Sequence, residues 1–142
     1  MTIQTILQGR STDIYSCTAD MSVSQAVEIL AEKRIGALPV LDGDAIVGIF
    51  SERDVLHCIR KYGVAAMDHV VRDVMTSDVI FVERTKSVMG ALSLMTKRRI
   101  RHLPVVEDSK LVGFVSIGDL VKYRIDKIES EAAAMRDYIQ SA

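Results

Sequence analysis

Two stretches of this chain set a glycine, a serine and an aspartate at one spacing: Gly48-Ile49-Phe50-Ser51-Glu52-Arg53-Asp54 and Gly113-Phe114-Val115-Ser116-Ile117-Gly118-Asp119. In each, an apolar run ends at the serine and a helical pattern starts after it. Serine at such a junction caps a helix, and aspartate in the first turn answers the helix dipole. The same residues suit a nucleotide. Helix-start amides and a serine hydroxyl can hold a phosphate, and an ionised carboxylate, which only accepts hydrogen bonds, can take both hydroxyls of a ribose. Sequence alone leaves both readings open.

Other chemistries find less support. Lys97, Arg98, Arg99, Arg101 and His102 form a basic cluster. Cations belong near a helix carboxyl end without any ligand, yet Arg101 and His102 open an apolar strand where alternation turns one of them inward, and a phosphate in a cleft would explain a cation there. Nucleic acid is not expected as a partner, because net charge is −1 and only three Phe and four Tyr are available for stacking. His57, His69 and His102 pair with no visible nucleophile and no metal-ligand spacing, so no enzyme, catalytic cofactor or metal site is expected. Cys17 and Cys58 show no CxxC pattern and read as free thiols of a cytoplasmic protein. The seven methionines read as core filler. No apolar run approaches the 18 or so residues of a membrane span, and residues 1–11 carry no signal pattern.

The elements that must position these motifs come in duplicate. Residues 34–56 align without a gap on 99–121, with 9 of 23 positions identical, among them both prolines of the chain, Pro39 and Pro104. A tandem repeat of this kind is read before anything else. Ser22 and Gln25 predict a capping box opening a helix, Ala37–Leu41 and Ala45–Phe50 a hairpin turning at Asp42-Gly43-Asp44, and Glu52 to about Tyr62 a second helix ended by Gly63. The second copy predicts a helix from Ser87 through Arg98, strands His102–Val106 and Leu111–Val115, and a helix opening at Ile117. Extended stretches at Ile14–Thr18 and Val79–Glu83 precede the copies, and residues 64–77 join them. Each copy is too short to bury a core alone, so the two must pack together, with a ligand cleft between them. At 142 residues with 49% hydrophobic content, the chain can build one sizeable core.

The last helix outruns its counterpart. Val121, Ile125, Ile128, Ala132, Met135 and Ile139 are spaced 4, 3, 4, 3 and 4, a heptad seam. Either it packs on its own domain or it pairs with a second subunit, and its projection beyond the repeat favours a homodimer.

The doubled pattern, with Leu-Pro-Val, then Val-Gly, then Ser-x-x-Asp, resembles the cystathionine-β-synthase (CBS) domain family, and two in tandem resemble a Bateman module. The likeness covers residues from about 10 to 125, and Ser51-Glu52-Arg53-Asp54 with Arg101-His102-Leu103-Pro104-Val105-Val106 and the C-terminal helix resemble the stand-alone bacterial CBS-pair proteins rather than modules fused to an enzyme or channel. It implies an α/β fold of two intertwined CBS domains, at 10–65 and 75–125, related by a pseudo-twofold axis, with small sheets flanked by helices and a dimerising helix at 121–142. It implies a non-catalytic regulatory module that binds AMP, ADP, ATP, NAD(H) or S-adenosylmethionine and signals to a regulated protein. Under it, Asp54 and Asp119 meet ribose, Ser51 and Ser116 lie near phosphate, and residues around Ile35, Ala37 and Leu38 and around Arg101, His102 and Leu103 frame adenine. Thr76 closes the second site. Gly118 stands opposite Arg53, so that site lacks a side chain there. A first cleft would join Gly36 and Ala37 to Glu52 and Arg53, with room for an extended ligand or dinucleotide. A second would join Arg101 and His102 to Ile117 and Gly118, suiting a charged mononucleotide. The alternative is a structural dimer whose clefts bind nothing.

Overall fold

Every helix of the repeat starts on a side chain chosen for it. Ser22 and Gln25 form the reciprocal capping box of α2 (Val23–Lys33), and Ser87 caps α5 (Val88–Arg98) by accepting the Gly90 amide. Strands β2 (Ala37–Asp42) and β3 (Ala45–Ser51) form one antiparallel hairpin, and β4 (His102–Glu107) and β5 (Lys110–Ser116) the other. Both slip register at the same place, between Val40 and Leu41 and between Val105 and Val106. Helix α3 (Glu52–Tyr62) leaves the first hairpin and ends at Gly63, whose positive φ of 61° glycine accepts without strain. Helix α6 (Ile117–Ser141) leaves the second hairpin and runs for 25 residues. The structure, a computed structural model, describes residues 1–9 and 13–141, so the expected boundaries at residues 10 and 142 lie outside it.

The extended stretches ahead of the repeats pair only briefly. Strand β1 (Cys17–Thr18) runs parallel to β2, and Val82 alone makes the matching parallel bridge to Val105. The segment joining the repeats, by contrast, is structured as a 3-10 turn (Gly63–Asp68) and a short helix α4 (Val71–Val74). A further helix, α1 (Ile3–Gln8), occupies the amino terminus. Neither was expected from the sequence.

These two segments explain how the repeats intertwine. The first core gathers Val23, Leu30, Leu38, Val40 and Phe50, and is completed by Ala66 and Val71 from the joining segment. The second gathers Val88, Met95, Leu103, Val105 and Leu120, and is completed by Ile3, with Ile6 and Leu7 packed against it. The arrangement is reciprocal. Thr2 bridges Ser87 and Met1 gives its carbonyl to the Val88 amide, just as Val70 bridges Ser22 and His69 gives its carbonyl to the Val23 amide. Each lead-in segment therefore serves the helix cap and the core of the other repeat. Between the halves, β3 lies against β5.

Candidate functional site

Two clefts along the seam between the repeats gather most of the expected residues. The larger, of about 740 Å³, is lined by Ser116 and Asp119 at the start of α6, by Ile35, Gly36 and Ala37 entering β2, and by Tyr15, Phe114 and His102. The smaller, of about 320 Å³, is lined by Ser51, Arg53 and Asp54 at the start of α3, by Thr76 and Asp78, and by Ile100, Arg101 and His102 entering β4. Both volumes fall in the range of small-molecule sites. Gly36 and His102 line both.

The clefts are crossed, which corrects the expected grouping. Gly36 and Ala37 share the larger cleft with the Ser116–Asp119 helix start, while Arg101 and His102 share the smaller one with Ser51–Asp54. The reason is the docking of β3 on β5. Around a pseudo-twofold axis each helix start opens toward the strand entry of the opposite repeat. The roomier cleft does hold Gly36 and Ala37, and Thr76 belongs with Asp54. Three expected residues line neither cleft. Leu38 and Leu103 are fully buried in the two cores, because strand alternation turns them away from Ala37 and His102, and Gly118 is exposed in the first turn of α6.

Capping and carboxylate placement prove to be one feature. Asp54 Oδ2 accepts from the Ser51 amide at 2.9 Å and from its hydroxyl at 3.1 Å, and the Asp54 amide returns a bond to Ser51 Oγ at 3.3 Å. In the second copy, Asp119 Oδ2 accepts from the Ser116 amide at 2.8 Å, with the return bond at 3.1 Å. The first amides of the helices are also taken: Glu52 gives its N–H to the Gly36 carbonyl at 3.0 Å, and Ile117 to the Arg101 carbonyl at 2.8 Å. Two first-turn amides of each helix, together with the Ser51 hydroxyl, thus serve the protein. A phosphate at either helix start would find fewer amides to bind and would draw on side-chain cations as well, and the smaller cleft supplies Arg53, Arg99 and Arg101.

Arg34 and Arg99 were missed as lining residues, and their backbones make them informative. Each ends a helix in the left-handed region, with φ of 54° and 55°, where glycine is the favoured residue. Holding a longer side chain there costs roughly 1–2 kcal/mol. Arg34 lines the larger cleft and Arg99 the smaller. Strained residues of this kind cluster at functional sites. The signal was present in the sequence: both arginines head the aligned strings, and Asp13 and Asp78, one in each cleft, also stand at the repeat offset. Tyr15 carries Lys33 over its ring at 4.9 Å and has Ile80 as its counterpart, so only the larger cleft has an aromatic ring at this place.

His102 stands between the clefts. Its ring stacks on Phe114 at 5.5 Å between centroids, and a Cβ placed on Gly36 would lie 3.6 Å from its Cε1. Burial holds its pKa below the usual 6.5; the Asp119 and Glu52 carboxylates pull it back up, and Arg101 pushes it further down.

A family model of the CBS domain matches residues 10–61 and again 71–126, which together make up most of the chain. The chain belongs to the CBS-domain family, as a tandem pair. This CBS pair is 37% identical over 129 residues to the mitochondrial CBS domain-containing protein CBSX3 of Arabidopsis thaliana, covering 87% of this chain and 63% of that protein. It is 38% identical over 101 residues to an uncharacterised protein of Thermofilum pendens, of which it spans 32%, so it accounts for less than two thirds of either relative. Among solved structures, a CBS-domain containing protein of Agrobacterium tumefaciens superposes with a TM-score of 0.84 at 32% identity, covering 87% of this chain and 99% of that one. The CBS domain pair of protein MJ0100, in complex with 5′-methylthioadenosine and S-adenosylmethionine, superposes with a TM-score of 0.79 at 24% identity, covering 89% and 98%. That last likeness speaks for the fold. No helix among the described residues is long and apolar enough to cross a membrane.

Proposed function

We propose that this CBS pair is a sensor that reversibly binds adenosine compounds in its two clefts and reports their presence to a protein partner. The observation that carries this reading is the pair of left-handed arginines, Arg34 and Arg99, one in each cleft. A structural module would gain stability from glycine at both positions, whereas a ligand site has a use for guanidinium groups. Asp54 and Asp119 supply ribose acceptors, and the strand entries at Ile35–Ala37 and Ile100–His102 offer backbone and apolar surface for a base. The adenosine ligands of the MJ0100 pair, which shares this fold, support the choice of compound class. The smaller cleft, with its three arginines, suits a phosphorylated mononucleotide such as AMP. The larger, with Tyr15 and twice the room, suits an extended ligand such as NAD(H) or ATP.

Turnover is not part of this reading. The Cys17 thiol is pushed up to about 11 by burial, so it offers no nucleophile near neutral pH. One oxygen of each aspartate is held by the amide of its capping serine. A homodimer is proposed as the working unit, built on the exposed seam of α6.

Calorimetric titration with AMP, ATP, NADH and S-adenosylmethionine tests the function. Saturable binding of at least one is expected, with no chemical change in it after prolonged incubation. Silence from all four would favour a purely structural dimer.

A further inference from the structure

The tail of α6 bears an unpartnered apolar stripe and a definite charge order. The start of the helix is anchored on the second core through Leu120, Ile117 and Tyr123. Outside this contact, Val121, Ile125, Ile128, Met135 and Ile139 are all exposed, between 42% and 65%. A lone helical extension of about 13 residues is marginal in water, so this stripe calls for a partner. In its heptad frame, Ile125, Ala132 and Ile139 take one core position, and Val121, Ile128 and Met135 the other. The residues following the second set are Lys122, Glu129 and Arg136. Those preceding the first set are Arg124, Glu131 and Tyr138.

We infer that two copies of this chain pair their α6 tails as a parallel, in-register two-stranded coil. Flanking charges set orientation in such coils. In the parallel arrangement Arg124 faces Glu129 of the second copy and Glu131 faces Arg136 of the second copy. Twofold symmetry repeats both pairs, so every charged contact at these positions is attractive, and Lys122 faces the uncharged Ile117 of the second copy. In an antiparallel pair with full overlap, Lys122 meets Arg136, Glu129 meets Glu129 and Glu131 meets Glu131, all repulsive. An antiparallel pair slipped by one heptad either way brings opposite charges together but leaves two of the six apolar positions uncovered. The within-helix contact of Lys127 with Glu131, at 4.0 Å and exposed on the glutamate side, leaves Glu131 able to reach across. Parallel pairing sets both CBS pairs at the same end of the coil.

This inference rests on the homodimer reading and not on nucleotide binding. Mild oxidation of full-length Met135→Cys tests it, since the two native thiols are buried. Position 135 faces itself only in the parallel coil, so a disulfide-linked dimer is expected within minutes. A protein that sediments as a dimer yet fails to link would overturn the orientation and leave the dimer standing. A monomer would overturn both, and titration with AMP on the same sample tells whether the clefts still bind. Charge exchange gives a second readout. Glu129→Arg alone should weaken the dimer about fivefold or more, and Arg124→Glu added to it should restore the parent constant. In the antiparallel coil slipped toward the tail tips, the double variant would set the introduced guanidinium of one chain against Arg136 of the other, so failure to restore counts against the parallel coil.

Discussion

Thr76 donates its hydroxyl hydrogen to Asp54 Oδ1 at 3.0 Å, fastening the segment between the repeats to the helix start it crosses. Its backbone is held too, by paired bonds with Ile49 at 2.9 Å each. With Oδ2 occupied by the Ser51 amide and hydroxyl, only Oδ1 has a lone pair to spare, and a ribose hydroxyl would share it with Thr76. The carboxylate is at once a cap, a tether and the proposed ribose acceptor.

Asp→Asn substitutions separate the cap from the ligand contact. Asparagine keeps one oxygen for the serine amide and presents an N–H donor outward. Asp54→Asn and Asp119→Asn should each cost under about 1 kcal/mol in denaturant unfolding. Each removes a charge-assisted bond worth roughly 1.5–3 kcal/mol, so calorimetry should show nucleotide affinity at that cleft falling about tenfold or more. Unchanged affinity in both variants would reduce the two aspartates to helix caps.

Arg34→Gly and Arg99→Gly should move stability and binding in opposite directions. Relief of the left-handed arginine should raise unfolding free energy by roughly 0.5–1 kcal/mol net of the added chain entropy. Ligand affinity at the matching cleft should fall severalfold. A stabilised variant with intact binding would leave the strain without a function.

His102 makes the module sensitive to acid. Its folded pKa lies below the unfolded value, so the unfolded chain binds the proton more readily. Its contribution to stability is then complete above pH 6.5 and is lost as pH falls through the folded pKa. Urea midpoints between about pH 8 and pH 5 should drop more steeply for the parent than for His102→Gln. A phosphate in the smaller cleft would favour the imidazolium, so AMP affinity should rise as pH falls below 6.5, and a flat profile would place the phosphate elsewhere.

Two equivalent glycines should respond differently to a methyl group. A Cβ on Gly48 would meet the Thr76 backbone oxygen at 2.9 Å, whereas one on Gly113 would meet only the tip of Leu7 at 2.8 Å. Gly48→Ala should cost roughly 1–3 kcal/mol of stability, and Gly113→Ala less, because a side-chain tip can turn aside. Equal losses in chemical denaturation would show that α1 is held as rigidly as the joining segment.

Much of the architecture was legible because local and repeated signals coincide. Ser22 with Gln25, Ser87, and the two proline-bearing strands mark boundaries that the structure keeps to within a residue or two. Helix α1 was illegible for a specific reason. Thr2 and Val70 do the same work, but they stand 68 residues apart where the repeats stand 65 apart, so aligning the copies hides the match. The crossing of the clefts was hidden as well. A repeat alignment reads the same whether Ser116 faces the strand entry of its own half or of the other, and only the docking of β3 on β5 decides it.

The exchange of lead-in segments limits any shorter version of this molecule. A polypeptide with one repeat and its own lead-in would carry a helix shaped for a core it does not contain, and would lack the one its core needs. It could close that core only by trading arms with a copy of itself, as swapped dimers do. The two-repeat chain makes the same trade within one molecule, at the high effective concentration a covalent tether provides. Severing the tether between the repeats would therefore turn folding into a reaction between two molecules, with a midpoint that depends on dilution.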